Sequence, residues 1–171
     1  MFPVKVVNMS EKSNIIPIGS DHAGYKLKQY LIETLSVEGF EFKDYGTYSE
    51  DSVDYPDFIH PVASSVNNGE FERGIVICGS GQGANMTANK HPEIRSALCW
   101  DLEQAKLSRQ HNDANIIALP GRFINFDTAV EMVKIFFNTK FEGGRHKRRI
   151  DKIPISDLSF EDVNSDISNL L

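Results

Sequence analysis

Short apolar runs alternate with longer amphipathic stretches along this chain. Ile15-Ile16-Pro17-Ile18 reads as a short buried strand, and Pro17, which has no amide proton to donate, predicts that the strand is irregular or lies at an edge. The turn Gly19 to Gly24 follows. From Tyr25 onward Leu27, Leu31 and Leu35 recur at helical spacing until Gly39 ends the helix. Phe40 to Tyr45 alternates as a second strand, Ser49 to Pro56 is a polar loop, and Phe58, Val62 and Val66 mark a second helical face closed by Asn67-Asn68-Gly69. Gly74-Ile75-Val76-Ile77-Cys78 is the clearest strand, and its unbroken β-branched run predicts a central, fully buried position. A glycine-rich loop and a helix through Met86 to Lys90 come next, then a fourth strand from Ser96 to Trp100. Asp101 caps a helix carrying Ala105 and Leu107, Asn115 to Leu119 forms a fifth strand, and Thr128 to Phe137 is helical with Ala129, Val133, Phe136 and Phe137 on its apolar side.

Strand–loop–helix repeated in this way implies an α/β fold, a five-stranded parallel sheet with helices on both faces. Ligands of such sheets bind beyond the carboxyl ends of the strands, and the polar loops after Ile18, Ile77 and Leu119 fall there. A chain of 171 residues suits one domain. Its expected bounds are 15–155, with 1–14 a peripheral extension and 156–171 an acidic, serine- and asparagine-rich, loosely ordered tail.

Charge and composition narrow the function classes. A net charge of -6 argues against a general nucleic-acid binder, although clustered arginines can still hold an anion. No stretch approaches the ~18 apolar residues of a membrane span, and no leader pattern is visible before Ile15, so no membrane association is expected. Cys78 and Cys99 form no CxxC pair, which removes zinc-ribbon and thioredoxin readings and predicts free thiols in the cytoplasm.

The loops carry the candidate chemistry. Cys78-Gly79-Ser80-Gly81-Gln82-Gly83 places a cysteine at the mouth of a glycine-rich anion nest, where amides and a helix start favour a thiolate; the alternative is a small buried hydrophobe. The same loop reads as GxGxxA with Asp101 about 20 residues on, formally a dinucleotide fingerprint, but it follows the third strand rather than the first. Asp21 can cap the Tyr25 helix or face a polar ligand, and its neighbour His22 can bind phosphate. His111, in Arg109-Gln110-His111-Asn112-Asp113, can move protons near neutral pH or be a plain surface residue; His60 and His91 read as structural. Arg122 follows the fifth strand. Arg145 and Arg149, four apart behind Gly143-Gly144, either grip a phosphate or form a solvated helix end.

In combination these motifs resemble the ribose-5-phosphate isomerase B family, which includes galactose-6-phosphate isomerase subunits. The resemblance rests on Gly19-Ser20-Asp21-His22-Ala23-Gly24, Asp54-Tyr55-Pro56, Ile77-Cys78-Gly79-Ser80-Gly81, Ala88-Asn89-Lys90, Ser108-Arg109-Gln110-His111-Asn112-Asp113 and Glu142-Gly143-Gly144-Arg145-His146, in family order from Ile15 to Arg149. It implies a three-layer α/β/α Rossmann-like fold without dinucleotide, metal or other cofactor. It also implies a homodimer or tetramer with shared active sites, and interconversion of ribose 5-phosphate and ribulose 5-phosphate.

Family members use as base either a cysteine at the Cys78 position or a glutamate just past the loop. Ala84 stands at the second position, so the resemblance gives the base to Cys78. By the same resemblance His111 opens the ring near Asp21 and Tyr55. Ser80 and the amides of Gly79, Gly81 and Gly83 hold the enediolate, and Asn85 and Asn112 contact the sugar. His22, Arg122, Arg145, His146 and Arg149 take the phosphate, with His111, Asn112 and Arg122 supplied by the partner. A 6-phospho sugar (galactose or allose 6-phosphate) is the alternative substrate. A nucleotide-binding module and a Cys78/His111 hydrolase are the rival classes.

Overall fold

Residues 15–154 are described by a computed structural model of the chain. Five strands form one sheet in the order β2-β1-β3-β5-β4, every pair parallel. Chain order is β1 (Ile15–Ser20), α1 (Tyr25–Val37), β2 (Glu41–Asp44), α2 (Tyr55–Asn67), β3 (Gly74–Cys78), α3 (Gln82–Ala88), β4 (Ser96–Leu98), α4 (Leu102–Asn112), β5 (Ile116–Pro120), α5 (Phe126–Asn138) and α6 (Arg145–Ile150). The segments expected at 1–14 and 156–171 lie outside the described residues.

Both faces of the central strands are covered, which explains their unbroken apolar sequence. Ile75, Ile77, Ile117 and Leu119 pack into a core shared with α1, α4 and α5. Their alternates Val76, Cys78, Ile116 and Ala118 pack with Ile59 and Val62 of α2 and Ala84 and Ala88 of α3. The side-chain period of two thus sends Cys78 toward the α2/α3 layer. No helix among the described residues is long and apolar enough to cross a membrane.

The structure differs from expectation in two places that matter for the loops. β1 is not an edge strand: it pairs with β2 on one side and β3 on the other. Pro17 is tolerated because the β3 ladder begins only at Ile18↔Ile75. Helix α3 runs from Gln82 to Ala88 rather than through Met86 to Lys90. It starts directly on the glycine loop because Gly81 turns the chain at φ +75, and a Cβ there would clash with Leu98 Cδ1 and stand 3.1 Å from the Leu119 carbonyl carbon.

Candidate active site

The chain winds one way from β1 to β2 and the other way through β3, so β1 and β3 flank the point where the strand order reverses. Their carboxyl-end loops are bound together there. The Asp21 amide donates to the Ile77 carbonyl at 3.2 Å, the Gly121 amide to Cys78 at 2.9 Å and the Arg122 amide to Gly79 at 3.0 Å. Glycines permit this approach: a Cβ on Gly24 would stand 2.7 Å from Ile77 Cγ2, and one on Gly121 would stand 3.1 Å from the Ala23 carbonyl oxygen.

Cys78 ends β3 almost fully buried, 4% exposed. The Ala84 amide of α3 donates to its Sγ at 3.5 Å. The Gln82 amide donates to Ser80 Oγ at 3.3 Å. Among the described residues the amides of Ser80 and Gly81 donate to no protein acceptor, which leaves them for an oxyanion beside the sulfur. Tyr55, at the first turn of α2, lies against the loop: a Cβ on Gly83 would stand 2.7 Å from Tyr55 Cζ. Asn85 sits one turn into α3, its Oδ1 3.4 Å from Asn89 Nδ2.

Asp21 is not the cap of α1, whose N-cap is Gly24 with no side-chain bond; its Oδ1 instead accepts from the Gly24 amide at 2.9 Å and closes the turn before the helix. The Val53 amide donates to His22 Nδ1 at 3.2 Å, which fixes the ring and makes that nitrogen the acceptor. His22 and Arg122 share an open cleft of about 300 Å³ with Lys26, Glu50 and Phe126. Arg122 was expected from a partner subunit; here it stands beside Gly79 of its own chain, 3.6 Å from Arg122 Cδ to where a Gly79 Cβ would be. The reason is strand order: β5 is the direct neighbour of β3, so its terminal loop emerges beside the glycine loop.

The remaining candidates gather at the other end of the sheet. Helix α4 runs back against the strands, and its end meets the strand starts: Arg95 Nε donates to the Asn112 carbonyl at 3.0 Å, and the Gly74 amide to Asn115 at 2.9 Å. There the Glu142 amide donates to the Gln110 carbonyl at 3.0 Å, and the His111 and His146 rings stack with centroids 4.2 Å apart. The phosphate set expected from the sequence is therefore divided within one chain. His22 and Arg122 lie at the carboxyl edge, and Arg145, His146 and Arg149 of α6 lie with His111 and Asn112 at the amino edge.

Glu142 was not among the expected site residues. Its Oε2 lies 3.9 Å from His111 Nε2 and 3.6 Å from His146 Nε2. Its position four before His146 was the available signal. This trio has the composition of a metal site. Its geometry does not fit one, because rings stacked 3° from parallel hold their lone pairs in separate planes, and Arg145 Nε donates to His146 Nε2 at 3.4 Å.

The residues behind the rival readings have other places in one chain. Asp101, the would-be ribose ligand, accepts from the Gln104 amide at 2.8 Å as the cap of α4. Cys78 and His111 of one chain stand at opposite edges of the sheet and cannot form a hydrolase pair.

Two outcomes can be checked directly. Burial pushes the Cys99 thiol up to about 12, so iodoacetamide should spare it in the folded protein and label it only in denaturant, as read by peptide mass spectrometry. Desolvation, then His111 and Arg145, lower the pKa of His146 below 6.5. Its NMR titration should therefore fall below that of a free imidazole. Because the unfolded chain takes this proton at a higher pH than the folded one, stability should decline as pH falls below 6.5.

Known proteins share this architecture. The model of the Ribose/Galactose Isomerase family matches residues 16–153. Ribose-5-phosphate isomerase B of Escherichia coli K12 is 40% identical over 138 residues, spanning 81% of this chain and 93% of the relative. A crystal structure of a ribose 5-phosphate isomerase from Thermotoga maritima superposes with a TM-score of 0.81 at 46% identity, covering 83% of this chain and 98% of that one. Ribose-5-phosphate isomerase B of Mycoplasma genitalium, crystallised with bound ribulose-5-phosphate, gives 0.77 at 42% identity over 81% of this chain and 93% of that one.

Proposed function

This chain belongs to the ribose/galactose isomerase family, and we propose that it interconverts D-ribose 5-phosphate and D-ribulose 5-phosphate. The observation that carries this reading is the juxtaposition of Cys78, the free amides of its glycine loop and the His22/Arg122 cleft at one strand-reversal point. In the proposed reaction His22 and Arg122 hold the phosphate and fix the sugar over the loop. Asp21 and Tyr55 face the sugar oxygens. Cys78 takes the proton from C2 and returns it to C1. Ser80 and the loop amides carry the negative charge of the enediolate between those steps.

The site is completed, in this proposal, by a second copy. His111 of that copy opens the furanose ring, Asn112 contacts the sugar, and Arg145, His146 and Arg149 close over the phosphate. Two features support a homodimer. The ring-opening histidine and the base lie at opposite edges of one chain. An apolar patch also borders the carboxyl edge, where Trp100 (41% exposed) and Phe123 (63% exposed) lie with ring centroids 5.7 Å apart. The two free thiols suit a reducing, cytoplasmic setting.

Turnover of ribose 5-phosphate, allose 6-phosphate and galactose 6-phosphate should be compared side by side in EDTA. The highest kcat/KM is expected on ribose 5-phosphate, with solvent exchange at C2. Cys78→Ala and His111→Ala chains, each inactive alone, should regain about one quarter of wild-type activity when mixed as dimers, since half the dimers are mixed and carry one intact site. No recovery in proven mixed dimers would place both residues in the same chain's site.

A further inference from the structure

Three guanidinium groups converge at the amino edge of the sheet, outside the residues assigned to the isomerase site. Arg73 precedes β3, Arg95 precedes β4 and Arg109 lies in the last turn of α4. With Glu72, Asp113 and Asn115 they line an open cleft of about 180 Å³. Arg109 is only 4% exposed. Its Nη1 donates to Asp113 Oδ1 at 2.8 Å and to the Ala114 carbonyl, and its Nε to the Thr139 carbonyl at 3.4 Å. Arg95 is held through Nε and Nη2, by Asn112 and Asp113. Arg73 donates through Nη1 to the Phe137 carbonyl at 2.8 Å and through Nη2 to Glu72 at 2.7 Å.

These bonds use only part of what the groups offer. A guanidinium has five N–H donors in a planar fork. Among the described residues, Nη2 of Arg109, Nη1 of Arg95 and Nε of Arg73 donate to no protein acceptor. The charges do not cancel either: three cations face the carboxylates of Glu72 and Asp113 alone. A chain of net charge -6 thus keeps a local positive excess around a cleft with a buried arginine in its wall. Burial, and then the nearby Arg73, lower the pKa of Arg109, while Asp113 and Glu72 oppose the shift.

We infer that this cleft binds a small phosphate-type oxyanion at a site distinct from the Cys78 end of the sheet. Guanidinium forks match the oxygen spacing of phosphate and carboxylate groups, and charge-assisted bonds to them are about twice as strong as neutral ones. The bound anion would brace a particular piece of chain. Asp113, gripped by both Arg95 and Arg109, ends α4 in a left-handed turn at φ 45, directly after His111 and Asn112. Occupancy of the cleft therefore stiffens the segment that presents those two residues, and couples it to the concentration of the anion.

The test is calorimetric titration of the full-length protein with inorganic phosphate in a His22→Ala/Arg122→Ala background, which disables the cleft at the opposite edge. One phosphate per chain should still bind. Adding Arg73→Gln should weaken that binding about tenfold, and adding Glu72→Gln should instead tighten it severalfold. A merely destabilised variant cannot produce tightening, so the sign of the Glu72→Gln effect decides the matter should Arg73→Gln not fold. Absence of binding in this background would overturn the inference. So would an affinity indifferent to residues 72 and 73, which would locate the phosphate on Arg145 and Arg149.

Discussion

Cys78→Ala is expected to lower kcat/KM on ribose 5-phosphate by about 10²–10⁴-fold, the span associated with loss of a positioned proton-transfer group. The sulfur is the proton carrier in the proposed reaction. Ala84, which occupies the place of the alternative base, has a methyl group that cannot take its role. The fold should persist, because Cys78 is a small residue in the α2/α3 core and the loss of one sulfur costs about 1 kcal/mol. Binding of a non-reacting phosphate ligand should also persist, because His22 and Arg122 line a separate cleft. The measurement is therefore a split: kcat and C2 proton exchange collapse together while the inhibitor constant holds. Full turnover in the variant would move the proton step to another group and defeat the mechanism.

Asp44→Asn should cost about 3 kcal/mol of stability, seen as a fall in Tm of roughly 6–12 °C. Lys28 of α1 is fully buried and bonds both carboxylate oxygens of Asp44, with the Tyr48 ring 5.1 Å and the Tyr25 ring 5.8 Å from its ammonium. Burial lowers the Lys28 pKa, and Asp44 works against that shift. Asparagine keeps the shape and can still accept the Gly46 amide, which now bonds Asp44 Oδ1 at 2.9 Å, but it strands the buried charge. Because Asp44 is partly open to solvent, the loss belongs at the low end for a broken buried pair.

The pH dependence has a definite sign. A folded-state lysine with a lowered pKa sheds its proton before the unfolded chain does, so stability rises with pH in the window just below 10.5. The asparagine variant should show this rise more strongly, starting at lower pH. Lys28→Met/Asp44→Leu, which removes both charges, should recover most of the loss. An Asp44→Asn melt equal to wild type would mean that the pair is worth nothing to the fold.

The Lys28–Asp44 pair also shows where sequence reading reaches its limit. The Leu27, Leu31 and Leu35 stripe identifies α1 and its buried face, yet nothing in that stripe distinguishes Lys28 from the exposed Lys26 two residues earlier. Burial of Lys28 depends on Asp44, sixteen residues away on the neighbouring strand. Pro17 fails as an edge marker for a similar reason: what counts is where the β3 ladder begins, and that is a matter of register between strands.

The glycine loop was legible because its requirements are local. Only glycine holds φ +75 at Gly81 without strain, and a cysteine closing a β-branched strand must sit at that loop's mouth. The capping carboxylate of Asp101, the turn that Asp21 closes onto Gly24, and the alternation that buries Val76 and Cys78 on one side and Ile75 and Ile77 on the other, are equally local. The sequence by itself therefore determined the βα units, the central strand and the chemistry at its end. Only the tertiary structure decided which loops meet. The strand order β2-β1-β3-β5-β4 sets Arg122 against Gly79 of its own chain, and the antiparallel return of α4 carries His111, with Arg145, His146 and Arg149, to the far edge. Hydrophobic period and turn chemistry act over a few residues, whereas these placements arise from packing between segments remote along the chain.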